Sequence, residues 1–163
     1  MADSSASRCD HERAIEQLMY SFARGLDTCD WVQYRSVFTE LIELDYSSYR
    51  AGSYGTWLAD DWVARAAGVF PGLDASQHAV TNLAIKIDGN EASMNCYVRA
   101  DHVLEGHGIF SLIGRYKDRL VLTPIGWKIS HKTLLTTGSH GDPEIMAMAR
   151  QLTASGVTKP RIR

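Results

Sequence analysis

Between residues 10 and 28, Ile15, Leu18, Met19, Phe22 and Leu26 follow one another at helical spacing, leaving one apolar stripe on an otherwise polar stretch. Side chains three and four apart share a face when the chain turns every 3.6 residues, so the pattern predicts an amphipathic α-helix. Ser7 or Asp10 suits its N-cap, and Glu12 lies in the first turn, where a negative charge is favourable. A short second helix is expected from Asp30-Trp31 to Phe38, a strand over 41–50, and a third helix over 60–70 that Pro71-Gly72 stops. The pattern then changes. Segments 78–88, 92–104, 109–122 and 126–136 are rich in β-branched and aromatic residues. Asp88-Gly89-Asn90, Glu105-Gly106-His107-Gly108 and Pro124-Ile125-Gly126 separate them as turns between long antiparallel strands. Pro143 to Leu152 reads as a closing helix.

Helices followed by a meander give an α+β fold, with helices packed on one face of a curved antiparallel sheet and a conical cavity between the layers. No repeat or linker interrupts the chain, so residues 1–163 are read as one domain, with 1–9 and 157–163 as flexible tails.

Composition narrows the functional classes. The chain is 45% apolar and 22% charged, with 17 basic against 19 acidic side chains and a net charge of −2. That is an ordinary globular balance, without the basic excess that nucleic-acid binding needs. No apolar run approaches the ~20 residues of a membrane span, and the first residues form no charged-then-apolar leader, so a cytoplasmic location with no membrane partner is expected. Cys9, Cys29 and Cys96 are odd in number and far apart, which suits reduced thiols. Neither Cys9-Asp10-His11 nor the histidines at 78, 102, 107, 131 and 140 build a four-ligand cluster, so no metal is expected. The short Gly106-His107-Gly108 and Gly138-Ser139-His140-Gly141 turns lack the pattern of a phosphate loop, and no Gly-x-Ser-x-Gly elbow appears.

Four residues stand out as candidate chemistry. In strand 92–104 the even positions Ala92, Met94, Cys96, Val98, Ala100 and Leu104 are apolar, and His102 shares their face. A titratable ring placed there needs a hydrogen-bond partner or a cavity. Asp27 falls on a flank of the first helix with Tyr20 and Ala23, within reach of either solvent or a pocket mouth. His78 has the parity of Val80, Asn82 and Ala84, opposite to Leu83, Ile85 and Ile87, so a regular strand turns it away from the helices unless a bulge intervenes. Tyr46 sits in the expected strand 41–50, where its phenol offers a donor.

The residues together resemble a known family. The quoted positions are Ala14 to Leu18, Gly25-Leu26-Asp27-Thr28-Cys29-Asp30-Trp31, Leu44-Asp45-Tyr46, Gln77-His78 with Asn82, Arg99-Ala100-Asp101-His102, Gly114-Arg115-Tyr116 and Gly126-Trp127-Lys128-Ile129. In combination they resemble the SnoaL-like branch of the nuclear transport factor 2 (NTF2)-like superfamily, with scytalone dehydratase, hexachlorocyclohexane dehydrochlorinase and bile-acid 7α-dehydratase as chemical relatives. The resemblance implies a cone-shaped α+β barrel of cystatin-like type. It also implies a cofactor-independent aspartate–histidine dyad acting on small, often cyclic, apolar substrates. Carried over by position, Asp27 and His78 form the dyad, and His102 and Tyr46 join it. Lys132 matches a basic residue on the last strand, and Phe22, Tyr49, Trp62, Val98, Ala100 and Leu112 are expected with it around the substrate. The chain departs from the family's pattern at Leu26, where scytalone dehydratase has tyrosine, and at Leu112, where it has asparagine. Phe22 replaces a lysine of the dehydrochlorinase.

The expected chemistry follows from the residue types. Asp27 orients, His78 abstracts a proton, Tyr46 or His102 stabilises the charge that develops, and His102 or a water protonates the departing hydroxyl. That is β-elimination of water. The same parts serve a proton-transfer isomerase, or a protein that only binds a hydrophobic ligand. A homo-oligomer, dimer or trimer, is also expected, with the outer row Ser93, Asn95, Tyr97, Arg99 and Asp101 as one available contact face.

Overall fold

The computed structural model describes residues 7–161. Helix α1 (Arg8–Asp27) starts at a reciprocal cap, in which the Ser7 hydroxyl accepts from the Asp10 backbone N–H and the Asp10 carboxylate accepts from the Ser7 backbone N–H. Ile15, Met19, Phe22 and Leu26 of the expected stripe are buried, and Leu18 packs at the edge of the core. After α1 come α2 (Trp31–Ser36), β1 (Phe38–Asp45), β2 (Tyr54–Leu58), α3 (Ala59–Ala67) and a 3₁₀ turn at Phe70–Gly72. Four long strands follow, β3 (Ala75–Asp88), β4 (Glu91–Leu104), β5 (Gly108–Thr123) and β6 (Gly126–His140), then α4 (Glu144–Ala154).

The strands form a six-stranded sheet in the order β2-β1-β6-β5-β4-β3. It is curved and unclosed, and α1 packs against β3 and β6. Every neighbouring pair is antiparallel except β1 with β6, which run parallel. Irregularities between Thr81 and Ala84, Ile113 and Gly114, and Arg119 and Leu120 interrupt the ladders, and such bulges bend a sheet.

The first half of the chain differs from the sequence expectation. The strand expected over 41–50 runs over Phe38–Asp45, so Tyr46 lies in the turn beyond it, its N–H donating to the Ser53 carbonyl. The hairpin partner β2 was not expected. It is a five-residue edge strand with no position fully buried, so its sequence carries no strong alternation and its order derives from pairing with β1. Arg8 and Cys9, expected in a tail, belong to α1. At the other end the Lys159 N–H donates to the Pro71 carbonyl, the Lys159 ammonium pairs with Asp74 at 3.0 Å, and Arg161 donates to the Phe70 carbonyl. Residues 157–161 are therefore docked on the 3₁₀ turn. Gly72 permits α4 to settle on that turn, since a Cβ there would stand 2.1 Å from the Ala149 carbonyl oxygen.

Candidate active site

β3 brings His78 to the inner face by an extra residue. Before the bulge His78 and Val80 lie opposite Ala100 and Val98, and after it Ile85 and Ile87 lie opposite Met94 and Ala92. All four partners belong to the inward row of β4, so the inward parity of β3 switches from even to odd between Thr81 and Ala84. Asn82 makes the switch with φ of 57°, a left-handed conformation that asparagine tolerates better than most side chains. The conflict between His78 and Leu83, Ile85 and Ile87 is thereby resolved, because both sets face the helices.

Asp27, the last residue of α1, meets this strand and grips His78 twice. The ring Nδ1–H donates to Oδ1 at 2.7 Å, and the backbone N–H donates to Oδ2 at 2.7 Å. The two side chains are 19% and 5% exposed. Because a carboxylate only accepts, the neutral ring carries its proton on Nδ1 and its lone pair on Nε2. His102 stands edge-on to it with ring centroids 5.7 Å apart, and Phe70 packs against both imidazoles. The His102 Nδ1–H donates to the Phe110 carbonyl at 3.2 Å. Burial, reinforced by the neighbouring His78, pushes the His102 imidazole down to about 4. His102 is therefore neutral near pH ~7 and presents Nε2 as an acceptor.

These groups open on a cavity of about 970 Å³. His78, Ala100, His102, Phe110 and Leu112 come from the sheet, Phe22, Leu26 and Tyr34 from the helical layer, and Tyr46, Trp57 and Trp62 from the β1–β2 region and α3. The Tyr46 ring lies 5.2 Å from Trp62, whose buried indole N–H has no acceptor among the described residues. Burial first, and then the neighbouring Tyr116, Tyr34 and Asp118, raise the Tyr46 phenol well above its ordinary value, which keeps it a proton-bearing donor. Tyr49 and Arg50 of the β1–β2 turn, Arg65 of α3, and Glu144 and Arg150 of α4 form the exposed rim.

A model of the SnoaL-like domain matches residues 7–133. The chain belongs to that family. No curated protein matches this SnoaL-like chain. Among solved structures, it is similar to the Kfla4162 protein from Kribbella flavida, at 24% identity and a TM-score of 0.80 over 88% of this chain and 99% of that one. It is similar to a scytalone dehydratase-like protein from Novosphingobium aromaticivorans, at 24% identity and a TM-score of 0.72 over 80% and 87%. A type 2 hexachlorocyclohexane dehydrochlorinase (LinA) matches at 16% identity and a TM-score of 0.71 over 83% and 90%. The shared fold is the NTF2-like one. No helix among the described residues is long and apolar enough to cross a membrane.

Of the residues singled out from sequence, His78, His102, Tyr46, Phe22, Tyr49, Trp62, Ala100 and Leu112 line the cavity of this SnoaL-like protein, with Asp27 behind His78. Val98 and Lys132 do not line it. Val98 is buried in the core. Lys132 is fully buried, donates to Asp118 at 2.8 Å and lies 4.0 and 3.7 Å from the centroids of Phe22 and Tyr116, whose rings stand between it and the cavity. Sequence reasoning missed Tyr34, Phe70, Phe110 and Tyr116 and the rim arginines as lining groups. Strand register is the signal that finds two of them, since Phe110 pairs with His102 and Tyr116 with Cys96 on the inward row of β4. His102 also differs from its expected role, because its ring proton is committed to the Phe110 carbonyl.

Proposed function

We propose that this protein is a cofactor-independent lyase that eliminates water from a small, largely apolar, cyclic substrate. The observation that carries the reading is the lone-pair Nε2 of His78, set by Asp27 and opening on an apolar cavity. A proton on a carbon next to a carbonyl passes to Nε2, and the carboxylate stabilises the imidazolium that forms. The Tyr46 phenol donates to the carbonyl oxygen as charge gathers there. The carbon–oxygen bond to the β-hydroxyl then breaks, the imidazolium returns its proton to the leaving oxygen, and water departs with His78 neutral again. His102 accepts a hydrogen bond from the substrate hydroxyl and so holds it near the dyad.

The test is a panel of cyclic β-hydroxy ketones followed by mass spectrometry and by the ultraviolet absorbance of the conjugated product. Loss of one water is expected with the native protein. Turnover should vanish in Asp27→Asn and His78→Ala while the ligand still binds. A product of unchanged mass with a shifted double bond would replace the lyase by an isomerase. Binding without turnover across the panel, unaltered in both variants, would reduce the protein to a carrier.

A further inference from the structure

Three arginines from three separate elements converge on the cavity mouth: Arg50 in the β1–β2 turn, Arg65 on α3 and Arg150 on α4. Among the described residues none of them has a carboxylate within 4.0 Å, unlike Arg8, Arg35 and Arg99, each of which has one. Glu144 shares the rim and is the one acidic side chain among the cavity-lining residues, so the mouth is net positive in a chain whose total charge is −2. Desolvation, then Arg150 and Arg50, hold Arg65 below its ordinary range. Arg65 is steadied over Trp57, with its guanidinium carbon 5.8 Å from the ring centroid.

Holding like charges together costs free energy that an anion would relieve, and planar guanidinium forks match the oxygens of carboxylates and phosphates. The rest of the cavity has the opposite character. Its buried wall is aromatic and aliphatic, and the dyad lies among buried residues while the arginines are exposed. We propose that the substrate is amphiphilic, an apolar ring that lies against His78 with an anionic group held at the mouth by Arg50, Arg65 and Arg150. The inference rests on the lyase reading for which end of the substrate reacts, and it adds the substrate class.

Three probes sharing one ring test it by binding alone: 2-naphthoate, 2-naphthyl phosphate and the neutral 2-naphthamide, titrated against the full chain with the tryptophan fluorescence of Trp57 and Trp62 as readout. At least one of the two anions should bind about tenfold or more tighter than the amide, as charge-assisted bonds predict, and which one wins separates a carboxylate from a phosphate ligand. Arg150→Gln and Arg65→Gln should each shrink that ratio while amide affinity stays. Arg150→Gln guards against any disturbance of the Trp57 contact by the other variant. His78→Ala should keep the ratio; in the native protein, an intact ratio with no turnover of any anion-bearing cyclic β-hydroxy ketone would sink the lyase and leave the anion site standing. Amide binding as tight as both anions, or a ratio unchanged in the arginine variants, would overturn the site.

Discussion

Asp27 and Asp118 each hold a basic side chain at nearly the same distance, 2.7 Å to His78 and 2.8 Å to Lys132, and their surroundings give the two pairs different capacities. Lys132 and Asp118 are both 0% exposed, and the ammonium is enclosed by the faces of Phe22 and Tyr116 and the sulfur of Met19. Burial raises the Asp118 carboxyl and Lys132 opposes that rise, while the second Asp118 oxygen, Oδ1, has no partner among the described residues. No atom of this pair reaches the cavity lining. His78, by contrast, has one nitrogen fixed by Asp27 and the other turned toward open space. A hydrogen-bonded acid–base pair becomes chemically available when one valence is left over and something can reach it. Sealed on every side, the same kind of pair is a packing element whose desolvation cost is offset only while both partners remain.

The comparison can be broken by mutation. The largest effect is expected at the open pair, where His78→Ala should lower turnover of a substrate identified in the elimination assay by about 10²–10⁴-fold. Circular dichroism should show an unchanged fold. At the sealed pair, Lys132→Met should cost about 3–5 kcal/mol in urea unfolding, because it strands a buried carboxylate. The double variant Asp118→Leu/Lys132→Met should recover most of that loss. A single variant as stable as the native chain would refute the contrast.

A pH series sharpens it further. His102 takes up its proton at about 4 in the folded protein, whereas an unfolded imidazole does so near ~6.5. Between these values the unfolded state holds more protons, so stability falls as the pH is lowered through that window, by on the order of 3 kcal/mol in all. Urea titrations from about pH 7 to about pH 4 should show this slope in the native chain and lose it in His102→Phe. The smallest effect is expected at the bulge. Asn82→Val puts a β-branched residue at φ of 57° and should destabilise by ~1–2 kcal/mol, with reduced turnover if His78 loses its register.

Much of the architecture could be read without coordinates because it is periodic. The stripe from Ile15 to Leu26 is buried as its spacing requires, and the four long strands fall where alternation and the glycine-bearing turns put them. The candidate residues are a different matter. Asp27, His78, His102 and Tyr46 were named from residue type, position and family resemblance, and nothing in their spacing fixes a distance. His78 shows why most clearly, since its parity pointed away from the helices and one extra residue at Asn82 turned it inward. Lys132 shows the converse. Its resemblance to a family position implied a place beside the substrate, but it lies outside the cavity lining, against the faces of Phe22 and Tyr116.

What this sequence determines by itself is local. Apolar periodicity, caps and turn residues act over a few positions, and they specify an α+β chain of helices followed by a meander. The tertiary structure decided everything that depends on two distant segments meeting: β2 ordered only by its pairing with β1, the parallel contact of β1 with β6, and the bulge that turns His78 toward Asp27 from 51 residues away. Gathering three arginines at one mouth is of the same kind. Such meetings depend on how whole layers pack, and a one-dimensional pattern carries no record of the angle at which one layer crosses another.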